Sequence, residues 1–423
     1  MTTTSLSRLG SANAYDIAVG NLSTRQSALS KLQENLTSGK RVLHASDDPA
    51  SAAQAERALN RISRIQTDQR ALEAQRNSIA TAESTLGDVS DALQAFRELV
   101  VSAGSGIHTA ADRKTIALQL TGLRDQIFSL SNRTDTNGQP LFGALGSASA
   151  PFAGPQTTSP DYTFKGLPGQ TPSGELSIPF ALDGDSAFML QSARDGAYNV
   201  TMGSTSSTLK SDKVALITPP VAPLLVPGSS YTISNISIIA GTIPGNSQAQ
   251  YTLTETPEGS TVPLPSVAFT GPEYLSTSKT IPITAPGLSV NITGTPTAGD
   301  TLKIDASPSL FSVLDDAIND IGNTTATNAS ASQAVSQALG NIDISMNRVS
   351  AVRGQAGELL NRADRITDSQ GKRSIQMEAD RSRAEDLDMV KGISDFQKQQ
   401  TGYQVALQSY AQIQKLSLFN YIS

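Results

Sequence analysis

Leucines fall seven apart at Leu22, Leu29 and Leu36, with Leu32 between them, and this narrow apolar stripe predicts a helix that Gly39 ends. Ser46-Asp47-Asp48-Pro49 follows. Asp48 suits the N-cap of a second helix, where its carboxylate accepts from the orphan N–H groups of the first turn, and Pro49 suits the first helical position, where a missing N–H costs nothing. The next helical pattern runs without a proline or turn cluster to about Ala103. Its seam steps by seven through Ile65, Leu72, Ile79, Leu86, Leu93 and Val100, joined further on by Val89, Phe96 and Ala103. Gly104-Ser105-Gly106 breaks the run, and Thr109 to Asp112 reads as a capping box with Asp in place of Glu. A third helix carries Ile116, Leu120, Leu123, Ile127 and Leu130.

The C-terminal quarter repeats the pattern through Val335, Leu339, Ile342, Met346, Val349, Ala356, Leu360 and Ala363, with one polar interruption at Arg353. After a charged stretch, a last stripe carries Ile393, Phe396, Tyr403, Leu407, Tyr410, Ile413 and Leu416, broken by Gln400 and Gln414. A seam this weak buries little alone, so the tail needs a partner to be ordered. Between 151 and 305, Pro, Gly, Ser and Thr punctuate short β-branched runs: Tyr231 to Ile239, Gln250 to Thr254, Thr280 to Thr284, Leu288 to Thr293 and Asp300 to Asp305. The expected class is α+β: a long antiparallel helical bundle formed by both chain ends, with an inserted antiparallel β head of one or two small domains. The expected division is terminal helices at 1–45 and 371–423, a helical core at 46–150 and 306–370, and the head at 151–305, with a possible split near 208.

Composition narrows the chemistry. With no cysteine, the chain of 423 residues has no disulfide, thiolate nucleophile or thiol-ligated zinc, and a net charge of -6 gives no basic footprint for nucleic acid. No apolar run is long enough to span a membrane, and the opening residues lack the pattern of a signal peptide. Each candidate constellation has a simpler reading: Asp47-Asp48 caps a helix, Glu385, Asp386 and Asp388 form a solvated helix face, His44 and His108 stand apart from other ligands, and Gly39-Lys40 lacks the glycine of a phosphate loop. No catalytic residue, cofactor or metal site is nominated.

Ser27-Ala28-Leu29 through Ser38-Gly39-Lys40-Arg41-Val42, then Ser46-Asp47-Asp48-Pro49, resembles the N-terminal signature of the flagellin superfamily, and Arg97-Glu98-Leu99-Val100 is similar to its core helix. Asp135-Thr136-Asn137-Gly138-Gln139-Pro140-Leu141-Phe142 and Gly294-Thr295-Pro296-Thr297-Ala298-Gly299-Asp300-Thr301 resemble the hook-associated branch, which joins hook to filament. The resemblance implies a flagellar structural subunit that is not an enzyme and that self-assembles into a ring or short helical layer. It implies contacts with neighbouring hook-associated and flagellin subunits, an export chaperone at the C-terminal helix, and type III export without a cleaved signal. Filament flagellin is the nearest alternative; an injectisome tip or translocator protein is a further one. The expected assembly surface is Leu22, Leu29, Leu32 and Leu36 paired with Ile393, Phe396, Tyr403, Leu407, Tyr410, Ile413 and Leu416, with the pairing formed only in the polymer.

Overall fold

The computed structural model describes the chain apart from residues 1–3, 106–107, 158–160, 204–208, 218–225, 227, 258–259, 298, 324–327 and 423, and apart from the side chains of 4–15, 328–330 and 413–422. Gly106 and Ala298, and the side chains of Ile413 and Leu416, lie outside the described residues.

Helix α1 (Thr4–Ser38) stops at Gly39, whose φ of 72° is the left-handed conformation that ends helices cheaply at glycine. Asp48 then accepts from the Ser51 N–H at 3.1 Å and the Ser51 hydroxyl at 2.6 Å, opening α2 (Pro49–Ala103). Thr109 and Asp112 cap α3 (Ala110–Ser131) reciprocally. Short elements lead into the head: β1 (Phe152–Ala153) paired with β2 (Thr163–Phe164), then α4 (Gly184–Phe188) and α5 (Ser192–Asp195).

The head follows as β3 (Tyr198–Met202), β4 (Lys210–Ser211), β5 (Ala215–Leu216), β6 (Ser230–Ala240), β7 (Asn246–Thr256), β8 (Val267–Thr270), β9 (Tyr274–Leu275), β10 (Thr280–Ala285), β11 (Leu288–Thr293) and β12 (Leu302–Ala306). Two antiparallel sheets result, one ordered β3-β12-β6-β7-β8 with β9 also on β7, the other β10-β11-β4 with β5 also on β11. Alternate residues of both sheets, among them Tyr231, Ile233, Tyr251, Ile281, Ile283, Val290 and Ile292, make a core of their own. The chain returns through α6 (Leu310–Gly322), α7 (Asn328–Glu385) and α8 (Met389–Ile422). The architecture is α+β, helical at both ends with antiparallel sheets between.

Two compact units divide the chain, one made of Met1–Arg70 with Thr367–Ser423, the other of Ala71–Ile366. Within the second, α2 and α7 are antiparallel, since the ion pairs Arg76–Asp364 at 3.1 Å, Glu83–Arg353 at 2.7 Å and Arg97–Asp343 at 2.9 Å rise along one helix as they fall along the other. Arg353, the polar break in the α7 stripe, lies over Gly87, where its guanidinium comes within 3.5 Å of the place a Cβ would occupy. The interruption is thus a fitted ion pair rather than a gap in the seam.

The two hook-associated-like segments are turns that aim buried groups. Asp135 accepts from the N–H groups of Asn137 at 2.8 Å and Gln139 at 2.9 Å, Gly138 turns at φ 77°, and Leu141 and Phe142 are thereby driven into the core. Asp300 accepts from the Thr297 N–H at 2.7 Å and its hydroxyl at 2.8 Å, which fixes the entry into β12. At the centre of the unit, the Phe311 ring meets Phe128, Phe152, Tyr162 and Phe188 with centroids 5.1 to 5.9 Å away.

The head is fastened to the helices at the β3 edge: the Gln337 Oε1 accepts from the Val200 N–H at 2.9 Å, and the Asn341 amide donates to the Tyr198 carbonyl at 2.9 Å. Nearby on α6, burial pushes the Asp316 carboxyl up to about 7, with Asp320, Asp161 and Asp305 adding like charge and only the Ser307 hydroxyl, at 3.1 Å, favouring ionisation. A carboxyl raised in the folded state holds a proton that the unfolded chain releases, so this contribution is fully present below the ordinary value of 3.8 and is lost as pH rises to about 7. Asp316→Asn is therefore expected to stabilise the protein at pH 8 by about 1–3 kcal/mol. Thermal melts across pH 5 to 8 check it: the variant should show a flatter profile than the parent, and identical profiles would contradict the assignment.

Candidate functional site

The Ser-Gly-Lys-Arg turn after α1 and the break between α7 and α8 meet in one clasp, built first from backbone. The Glu385 carbonyl accepts from the Arg41 N–H at 2.7 Å and the Val42 N–H at 3.3 Å, and the Gly39 carbonyl accepts from the Leu387 N–H at 2.9 Å. Lys40 and Asp386 thus face one another as an antiparallel bridge. Val42 and Ala384 are buried beneath it.

Side chains lock this frame. The Arg41 guanidinium donates to the Ala384 carbonyl at 2.8 Å, to the Ser51 hydroxyl at 3.1 Å and to Asp48 at 3.3 Å, so one residue ties the α7 terminus to the α2 N-terminus. Lys40 pairs with Glu385, which also receives Arg381 at 3.0 Å; Arg381 reaches Glu378 at 2.7 Å. Asp47 accepts from Lys31 at 2.7 Å and from the His44 N–H at 3.1 Å. Asp388 opens α8 by accepting from the N–H groups of Val390 and Lys391, each at 3.1 Å.

These bonds hold two carboxyls down. The Lys31 ammonium, helped by the His44 N–H, keeps Asp47 at about 2, and the Ser51 hydroxyl and N–H, with Arg41 behind them, keep Asp48 at about 2. A depressed carboxyl contributes stability above its unfolded value of 3.8 that is lost as pH falls through about 2. Acidification between these values should loosen the clasp. Hydrogen exchange at Arg41, Val42 and Leu387 at pH 4.5 and at pH 2.5 checks it: protection is expected to fall more than in an Asp47→Asn/Asp48→Asn variant, and equal losses would contradict it.

The charged stretch at 385–388 departs from expectation. Glu385, Asp386 and Asp388 do not line a solvated helix face; the helix breaks there because the Asp388 carboxylate caps a new one and Glu385 turns its carbonyl to the facing turn. The trace of the clasp in the sequence is the opposite charge of Lys40-Arg41, just after the α1 stripe, and Glu385-Asp386, just before the α8 stripe. Among the described residues no group of three His, Asp or Glu side chains could hold a metal ion.

Beyond the clasp, α1 and α8 pack together, as Leu36 closes over Gly392, 3.2 Å from where a Cβ would stand, and the Arg25 guanidinium lies over Gly402. The pairing is present within one chain. Leu22, Leu29, Leu32 and Leu36 on α1 and Phe396, Tyr403 and Tyr410 on α8 are half-buried, whereas Ile393 and Leu407 stay 47% and 42% exposed. Ile17, Val19, Val390 and Val405 are exposed as well, so the pair still presents apolar surface on both helices. Among the described residues no helix is long and apolar enough to cross a membrane.

Paired helical ends, clasped at two turns and still carrying apolar surface, define a helical-ended structural fold. Residues 11–146 match the bacterial flagellin N-terminal helical region and residues 339–422 the bacterial flagellin C-terminal helical region, together about half of the chain. The chain belongs to the bacterial flagellin family. It is 34% identical over 147 residues to flagellar hook-associated protein 3 of Salmonella typhimurium, a match covering 34% of this chain and 46% of that protein. To flagellin of Bacillus subtilis it is 37% identical over 122 residues, covering 28% of this chain and 40% of the flagellin. The chain thus matches less than half the length of these relatives. In fold it is similar to hook-associated protein 3 from Legionella pneumophila, with a TM-score of 0.59 and 21% identity over 77% of this chain and 97% of the other. It is similar also to FlgL of Xanthomonas campestris, with a TM-score of 0.54 and 20% identity over 77% and 98%.

Proposed function

We propose that this chain is the hook-filament junction subunit of a bacterial flagellum, self-assembling into a ring or short helical layer between neighbouring hook-associated and flagellin subunits. The observation that carries the reading is the match to hook-associated protein 3 of Salmonella typhimurium, 34% identical over 147 residues. The fold likeness to the Legionella protein of that name, over 97% of its chain, supports it. The clasp supports an assembly role, because it holds α1 and α8 side by side with their exposed apolar residues turned to neighbours. Ile393 and Leu407, with the exposed Ile17, Val19, Val390 and Val405, are the assembly residues, the half-buried α1 leucines hold the pair together, and residues 1–45 and 371–423 are the assembly arms. An export chaperone that covers α8 before assembly would hide Val390, 82% exposed in the single chain, and delivery through the flagellar type III apparatus fits such an arm.

Filament flagellin is the second reading, favoured by the match to the Bacillus subtilis flagellin. Deleting the gene separates the two. Loss of a junction subunit leaves bare hooks while flagellin is still shed into the medium; loss of the filament subunit leaves bare hooks and no shed flagellin.

A further inference from the structure

Arg57, Arg61 and Arg64 stand on one exposed face of α2, spaced four and three residues apart. Among the described residues none is ion-paired to a carboxylate: the Arg61 guanidinium donates to the Met377 Sδ, at 4.0 Å, and no ion pair joins Arg64 to the half-buried Asp68 one turn on. Three like charges at helical spacing repel one another, and among the described residues no ion pair offsets them. A complementary stripe begins thirty-one residues further along the same helix, where Asp88, Asp91 and Glu98 are exposed. Their neighbours neutralise them weakly: Arg133 reaches Asp88 at 3.5 Å with both side chains about half exposed, and Glu98 receives the neutral Gln94 amide at 3.3 Å.

The same asymmetry runs through the two units. The one holding the arginine stripe has sixteen Lys and Arg against thirteen Asp and Glu, and the one holding the acidic stripe has sixteen against twenty-five.

We infer that the Arg57, Arg61 and Arg64 stripe of one copy docks on the Asp88, Asp91 and Glu98 stripe of a second copy of this chain. The inference rests on the proposed polymer and adds its register. Parallel copies side by side bring the stripes together only when staggered along their helices, and a stagger repeated around an axis builds a helical layer, not a flat ring. Opposite charge across the contact also repels copies in the wrong register.

Reversal by exchange tests it. One variant carries Arg57→Glu, Arg61→Glu and Arg64→Glu; the other carries Asp88→Arg, Asp91→Arg and Glu98→Arg. Alone, each sets like against like, and attached filaments per cell should fall at least ten-fold. Made together, each supplies the stripe the other needs, and filament number should return to within about two-fold of the parent. Parent-like counts from either variant alone, or no rescue when both melt as the parent does, overturn the inference.

Should a reversed variant melt early, a milder pair decides. The parent has no cysteine, so Arg61→Cys with Asp91→Cys in one chain should give covalent ladders in oxidised, intact flagella. Monomers alone would overturn the contact. A ladder in flagella labelled along the whole filament keeps the contact and rejects the junction reading; basal label without a ladder does the reverse.

Discussion

Replacing Phe311 by alanine will destabilise the Ala71–Ile366 unit by about 3–5 kcal/mol, the usual cost of emptying a buried aromatic site. The ring is fully buried and is the shared neighbour of Phe128, Phe152, Tyr162 and Phe188, which come from α3, β1, the loop before β2 and α4. Four rings on four segments cannot close the space together without each leaving its own contacts. Urea unfolding of the purified chain reads the loss in the transition midpoint. A change below 1 kcal/mol would mean that the cluster collapses freely and is not the centre of this core.

Arg41→Ala carries the second large effect. Its guanidinium donates to Ala384, Asp48 and Ser51, so alanine leaves the Ala384 carbonyl without its side-chain donor and Asp48 without its cation. Because Arg41 is itself about half exposed, the expected local loss is modest per bond, about 2 kcal/mol in all, equivalent to a fall of some thirty-fold in hydrogen-exchange protection. That fall should appear in α1 and α8 beside the clasp and spare the β head. Cells producing the variant should have fewer attached filaments. Loss spread evenly over the chain would show that Arg41 supports global folding and not the clasp.

How much of this the sequence disclosed depended on the range of the cause. Helix α2 could be placed from Pro49 to Ala103 because its start is a local cap and its seam a local period. The runs at Thr280 and Leu288 are strands β10 and β11 for the same kind of reason, alternation around a tight turn at Gly287. Strand β3 is a five-residue alternation of Tyr198, Val200 and Met202, too short to stand out among the loops around it, and its anchoring by Gln337 and Asn341 has no local signal because those residues are distant in sequence. The clasp was half legible. Ser38 to Val42 and Ser46 to Pro49 stood out as a signature, but their partners at Ala384 to Leu387 sit more than three hundred residues away and look like any charged helix. Of the apolar stripes, α1 and α8 were found, yet sequence alone could not say that Leu36 meets Gly392 while Ile393 is left outside.

The most direct test of the central proposal is immunogold labelling of this chain on intact flagella. A junction subunit labels a single zone at the base of each filament, next to the hook. Label distributed along the whole filament would contradict the proposal and identify the chain as a filament flagellin.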